Sequence, residues 1–492
     1  MVNSSSGTKS RSFAIRATLR HPVIDCDGHM TEFEPAFLDY LREAAGSDVA
    51  ERYKSAPDSG FRFPWYSMTD AQRRDNRSFR TPWWFHLARR TIDRASSSIP
   101  ALLYERMPEL GLDFAILYPS LGFFAIHMWD EELRRAACRA FNSFYAGTFR
   151  EFASRITPVA LIPMHTPAEA LDELDHVVRE LGLKAIMMPA FARRPIPALA
   201  KKAPELARNL CWFDNFCLDS EHDYDPVWAR CVELGVAPTF HSPSMGIGTR
   251  GSISNITYNH LGHFAYSGES ICKALFLGGV TRRFPRLRFA FQEGGAGWGC
   301  ILYRDLIAHW ETRNPAALEN VNPANLDHRR LREFFVQYGG KMVSGNRLDR
   351  ADERSNLFWG AAEGEGEIND FAKCGIERAE DIRELFVPRF FFGCEGGDRL
   401  TAWAFDSRRN PFGARLSAIF GSDIGHFDLP DMTEAVAEAS HLVEQRLIGE
   451  GDLRDFLFAN PVRLHAAMNP GFFKGTAIES EAAAVLAESP RD

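Results

Sequence analysis

Asp27 and His29 close the first apolar run of the chain, in Ile24-Asp25-Cys26-Asp27-Gly28-His29. Residues two apart on an extended backbone point to the same side, so this pair can share one ion. A second imidazole, His241, directly follows the run ending Thr239-Phe240. A second carboxylate comes from Asp423 in Phe420-Gly421-Ser422-Asp423, with His426 and Asp428 just behind it. Two carboxylates and two imidazoles make a mixed oxygen and nitrogen set that suits a borderline divalent ion and leaves positions open for water or substrate. Singly, each residue has an ordinary explanation. An Asp before a Gly forms turns, and a lone His after a strand is more often hydrogen-bonded than ligating. What makes them a set is their order, at the ends of the first, fifth and eighth of eight apolar runs.

Those runs are residues 23–26, 114–118, 158–162, 185–188, 237–240, 287–291, 389–392 and 416–420. Most are bounded by turn residues, as parallel strands buried on both faces should be. Amphipathic stretches at 131–154, 167–181, 226–234, 299–313 and 432–447 lie between or after them, each spaced to lay one apolar face on a sheet. The repeat of strand, loop and helix predicts an α/β fold, a TIM (β/α)8 barrel whose strand ends converge on one mouth. A doubly wound sheet is the rival. Two connections are too long for a minimal barrel, after strands 1 and 6. The first holds Phe61, Phe63, Trp65, Tyr66, Trp83, Trp84 and Phe85. That density of rings suits a lid in which Trp83 and Trp84 bind an apolar or aromatic substrate; the alternative is that the rings staple the insertion to the barrel. The second ends in an acidic, Gly-rich stretch at 361–370 that reads as exposed. A helical C-terminal extension follows the last strand.

The chain has 492 residues, 45% hydrophobic and 25% charged, with a net charge of -8 and nine cysteines. This profile belongs to a folded protein with an ample core. The acidic balance gives no electrostatic reason to expect nucleic acid or an anionic membrane, and a small-molecule substrate fits better. An odd number of cysteines without a C-x-x-C pair argues against a disulfide framework or thiolate zinc site, and for a cytoplasmic location. Residues 1–20, rich in Ser and Arg, read as a mobile tail without a secretory signal, and no window is apolar enough to cross a bilayer. Residues 21–476 are expected to form a single metal-dependent domain, and 477–492 a loose acidic tail.

The run Phe291-Gln292-Glu293-Gly294-Gly295-Ala296-Gly297-Trp298 lacks the Lys-Ser/Thr of a phosphate-binding loop, and no G-x-S-x-G elbow is present. Together with the Asp27-Gly28-His29 and Glu32 segment, His241-Ser242-Pro243 and Gly421-Ser422-Asp423-Ile424-Gly425-His426, this run resembles the amidohydrolase-related family that includes aminocarboxymuconate semialdehyde decarboxylase. Residues 155–163 and 279–285 add to the likeness, which extends over roughly residues 22–465. The resemblance implies a distorted TIM barrel, one divalent metal ion, a homodimer, and either hydrolysis or non-oxidative decarboxylation of a small carboxylated, often aromatic, molecule. It implies Asp27, His29, His241 and Asp423 as the metal ligands and Glu32 as a substrate contact. Many relatives have His where Asp27 stands; an added anionic ligand weakens Lewis acidity and shifts preference from zinc toward manganese.

The family's decarboxylases often carry a catalytic His at the sixth strand, where this chain has Gln292 and Glu293. A Glu can protonate an aromatic carbon only if its pKa is raised. The leading expectation is therefore a hydrolase in which Asp423 is the base for a metal-activated water, with Glu293 and His426 binding substrate or shuttling protons. Decarboxylation is the alternative chemistry, and a non-catalytic binding protein is a third reading. Glu395, after the seventh strand, stands where a substrate-facing residue would; the equal alternative is a plain Gly396-Gly397-Asp398 turn that leaves it exposed. His260 and His263 are weaker candidates to line the mouth.

Overall fold

In the computed structural model, which describes residues 10–60, 63–81, 90–244, 247–354 and 369–488, all eight expected runs are strands. They are β1 (Ile24–Met30), β2 (Phe114–Pro119), β3 (Ile156–Leu161), β4 (Ala185–Met188), β5 (Pro238–Phe240), β6 (Phe289–Phe291), β7 (Phe390–Glu395) and β8 (Ser417–Gly421). Each pairs in parallel with the next, giving one sheet in chain order. The ring closes where the amide of Asp423 donates to the Asp27 carbonyl (2.9 Å) and that of His29 to the Ile424 carbonyl (2.8 Å). Gly421 permits this approach, since a Cβ there would stand 2.6 Å from the Asp27 Cβ. The result is the α/β barrel that the strand and helix repeat predicts.

The strands are buried almost throughout, because helices cover the outer face and side chains fill the inner one. The helix Glu131–Phe149 shows how the cover is attached. Asp130 caps its first turn, and Leu133, Ala137, Phe141, Phe144 and Tyr145 form its buried stripe. Its buried Asn142 exchanges hydrogen bonds with the backbone of Leu161 at the end of β3, 2.9 Å to the carbonyl and 2.7 Å from the amide. The side chain thereby satisfies backbone groups that the strand's end leaves unpaired.

Both long connections lie where expected, between β1 and β2 and between β6 and β7. The first carries the helices Glu34–Ala45, Ser47–Ser55 and Pro100–Leu110 and several shorter turns. Trp83, Trp84, Phe61 and Phe85 lie outside the described residues, as do residues 361–368 of the acidic stretch. Trp65 is described, and it docks on the loop after β5. Its indole donates to the Ile253 carbonyl (2.9 Å) while the Arg73 guanidinium lies 3.7 Å over the ring.

Both ends of the chain differ from the tails read in the sequence. Residues 11–16 form a helix capped by Ser10, in which buried Ser12 accepts from the Ala437 amide (3.2 Å) and Arg16 donates to Asp113 (3.1 Å). Ser10, Ser12 and Arg16, which read as solvated, are held by these partners. Residues Glu479–Ala487 form a helix that buries Ala482 and Val485, with Glu488 paired to Arg454. A short antiparallel hairpin, Ala192–Pro195 with Cys211–Asp214, was not foreseen, because buried Arg194 breaks its apolar pattern. That guanidinium is neutralised by Asp214 at 2.9 Å and also donates to the Tyr224 hydroxyl at 2.8 Å. None of the nine cysteines forms a disulfide. Among the described residues no helix is long and apolar enough to cross a membrane.

Candidate metal centre and pocket

The ends of β1, β5, β6 and β8 bring five side chains to one point. Asp27 and His29 meet there although β1 shifts register between Asp25 and Gly28; the irregularity re-aims the strand just before the pair. Asp27 Oδ1 is 3.5 Å from His29 Nε2 and 3.4 Å from His241 Nε2. Asp423 Oδ1 is 3.5 Å from His29 Nε2, and Glu293 Oε2 is 3.2 Å from His241 Nε2. Most of these separations are long for hydrogen bonds. They match the spacing of ligand atoms around a single ion: bonds of about 2.1 Å at tetrahedral angles put neighbouring ligands about 3.4 Å apart.

Polar satisfaction supports the same reading. Asp27 Oδ1, His29 Nε2, His241 Nε2, Glu293 Oε2 and Asp423 Oδ2 are buried without a hydrogen-bond partner. Buried polar atoms rarely stay unpaired, so a cluster of them marks a place where a cation fits. Burial, and then the repulsion of neighbouring carboxylates, pushes Asp423 and Glu293 well above the usual carboxylate range. Burial and the adjacent His426 and His241 hold His29 well below the usual imidazole range, which keeps the ring neutral, as a metal ligand must be.

Backbone geometry shows how tightly the carboxylates are set. Glu293 (φ 54°) and Asp423 (φ 53°) both adopt the left-handed conformation that disfavours side chains, at about 1–3 kcal/mol each. For Asp423 the compensation is visible. Asp25, fully buried behind it, accepts from the amides of Asp27 (3.1 Å) and Ser422 (2.9 Å) and from the Ser422 hydroxyl (2.5 Å). Burial raises the Asp25 carboxyl to about 7 despite these donors. Asp25 and Ser422 therefore lock β1 to β8. The sequence reading assigned neither a role, since nothing in a buried strand marks an inward carboxylate as a brace. Gln292 works similarly, donating to the Cys26 carbonyl (3.1 Å) and to the Tyr118 hydroxyl (2.9 Å), which itself donates to Thr239 (2.7 Å).

Beside the cluster lies a small pocket, open to solvent, lined by Thr81, Phe123, Phe124, Pro243, His260, His263, Phe264, Glu293, His426 and Asp428. Phe123 and Phe264 pack against the His241 ring, with centroids at 4.6 and 4.5 Å. His426 stacks on His29 (3.7 Å, 18°), with Nδ1 2.8 Å from Asp423 Oδ1 and Nε2 2.8 Å from the Ser120 hydroxyl. Asp27, His29, His241, Glu293, Asp423 and His426 thus converge. Glu32 does not join them: buried, it accepts from the amides of Ser120, Leu121 and Gly122 and from the Tyr145 hydroxyl. Glu395 ends β7 exposed and outside the cavity lining. His260 and His263 do line the mouth. The sequence reading missed Phe123, Phe124 and Phe264, which sit on loops and show no periodicity.

A barrel with a mixed carboxylate and imidazole cluster at its strand ends defines a class of metal-dependent enzymes. The family model described as Amidohydrolase matches residues 24–320, more than half the chain, and the chain belongs to that family. The chain is similar to decarboxylase orsB of Emericella nidulans, with 28% identity over 187 residues, 35% of this chain and 50% of that one. It spans about half the length of this curated relative. Among solved structures, 5-carboxyvanillate decarboxylase from Sphingomonas paucimobilis aligns with a TM-score of 0.46 and 15% identity, covering 90% of this chain and 98% of that one. A dihydroxybenzoic acid decarboxylase from Polaromonas, solved with bound manganese and 2-nitroresorcinol, aligns with a TM-score of 0.45 and 14% identity over 90% and 97% of the two chains.

Proposed function

We propose that this protein is a metal-dependent carboxy-lyase acting on a small aromatic carboxylic acid. Glu293 carries the reading: its carboxyl belongs both to the buried ligand cluster, 3.2 Å from His241, and to the wall of an aromatic cavity whose lining, among the described residues, has no lysine or arginine. Asp27, His29, His241 and Asp423 would hold the divalent ion, manganese or zinc. When bound, it supplies the positive charge that binds and polarises a substrate carboxylate. The named activity of the Emericella nidulans relative also supports decarboxylation over the hydrolysis expected from the sequence.

In this reading Phe123, Phe124 and Phe264 flank the ring and exclude water. Burial favours the protonated form of Glu293, which gives its proton to the ring carbon that bears the carboxylate. A C–H bond forms there, and the bond to the carboxylate then breaks. Its electron pair returns to the ring as carbon dioxide leaves, and a proton from water restores Glu293. Hydrolysis has one observation of its own, the 2.8 Å contact of His426 with Asp423, a buried pair suited to taking a proton from water.

Product analysis separates the two. Manganese- or zinc-loaded protein incubated with hydroxybenzoates in deuterated water should release carbon dioxide and leave deuterium at the vacated ring carbon. Esters and lactones of the same acids should persist. Cleavage of those esters or lactones without carbon dioxide from any acid would reverse the order of the readings.

A further inference from the structure

We propose a second divalent-cation site in the cavity, distinct from the inner cluster and formed by His260, Asp428 and Glu293 with His263 beside them. The four segments that carry these residues meet at the barrel mouth. His260 ends the helix Ile256–His260, His263 begins the helix His263–Leu277, Asp428 follows β8 and Glu293 follows β6. One ligand atom from each of His260, Glu293 and Asp428 lies within 4.8 Å of the others. His260 Nε2 stands 3.6 Å from Asp428 Oδ2, beyond hydrogen-bond reach but near the ligand separation of about 3.4 Å around one ion.

A second observation comes from His263. Its ring is 6% exposed, lines the same cavity, and has no hydrogen-bond partner on either nitrogen. Its centroid is 4.8 Å from that of His260. An imidazole buried in this way is costly unless something occupies its lone pair. Two imidazoles and two carboxylates, in a lining that has no lysine or arginine among the described residues, fit a borderline ion such as zinc. Glu293 stands between the two groups, and as a ligand of the outer ion it is ionised, so an occupied outer site withholds the proton that the proposed reaction takes from Glu293.

The site rests on the proposed metal centre through that shared carboxylate, so the experiment separates the two. Protein is equilibrated with zinc, freed of unbound metal, and measured for zinc per chain and for melting temperature. The wild type should hold two ions. His260→Ala combined with Asp428→Asn should lose one and keep the inner one. His29→Ala combined with His241→Ala should lose the inner one, which tests the metal centre independently. Titration of the wild type against a chromophoric zinc chelator reads the same question without a variant and should show two steps. A single equivalent in that titration, or two ions retained by the His260 and Asp428 variant, overturns the outer site.

Discussion

Asp423 has a strained backbone and a buried carboxylate whose Oδ2 has no hydrogen bond and whose Oδ1 faces only imidazoles, His426 at 2.8 Å and His29 at 3.5 Å, a poor arrangement for a residue that merely caps the segment behind it. As a proposed metal ligand it needs its charge. Asp423→Asn should lower metal content modestly and turnover by orders of magnitude. A metal-bound crystal structure should put a carboxylate oxygen of Asp423 within about 2.5 Å of the ion. An Asn variant with full activity would return Asp423 to a capping role. Glu293→Gln should behave differently, keeping the inner ion while losing most turnover, because the amide fills the same space but has no acidic proton. The inner cluster was legible in the sequence because each member closes an apolar run, and a strand end has a fixed direction. Glu293 was legible as a candidate, but not its burial against His241, which depends on a left-handed turn. Phe123 and Phe264 were illegible because their loops follow no period that could aim a ring.

The elements around the centre divide into those that hold it and those that cover it. Glu32 holds: three backbone amides and a tyrosine hydroxyl of the region after β2 converge on one buried carboxylate. Removing it in Glu32→Ala strands those donors, each at about 1–3 kcal/mol, so the melting temperature should drop clearly. If Glu32 instead touched substrate, the variant would keep its melting temperature and raise the Michaelis constant. Trp65 belongs to the cover, tying the insertion after β1 to the loop after β5 beside Arg80, whose amide donates to the Ser252 carbonyl (2.9 Å). Trp65→Ala should raise the Michaelis constant while leaving metal content unchanged, measured by steady-state kinetics and elemental analysis. Unchanged kinetics would assign the ring to stapling alone. The same distinction explains what the sequence showed of these elements. A long connection announces itself by length, but its docking depends on single contacts such as Trp65 to Ile253, which have no pattern. The N-terminal helix was missed similarly, since its anchors, Ser12 to Ala437 and Arg16 to Asp113, join residues far apart in the chain.

The whole barrel was legible because eight doubly buried strands must each read as an apolar run, and helices that cover them must carry one apolar stripe. Charge inside that core was not legible, and it sets the behaviour of the molecule with pH. His465 is 3% exposed and stacks on Phe472 at 4.5 Å and 19°. Burial first, and then the charge of Lys184, lowers its pKa from 6.5 to about 3. The folded chain therefore refuses a proton that the unfolded chain accepts once the pH falls below 6.5. Above that pH the histidine is neutral in both states and contributes no pH dependence. Between pH 6.5 and about 3 it removes up to about 1.4 kcal/mol of stability per pH unit. His127, also lowered to about 3 by burial and then by Arg193, acts in the same direction. Buried carboxyls such as Asp25, raised to about 7, act in the opposite direction over the same interval, so chemical denaturation at a series of pH values isolates the histidine by comparing wild type with a variant. His465→Phe keeps an aromatic ring against Phe472 but cannot titrate, so its stability should fall less steeply over that interval, by the equivalent of one proton. Parallel curves for the variant and the wild type would mean that His465 takes its proton in the folded state, and that the acid sensitivity arises elsewhere in the core.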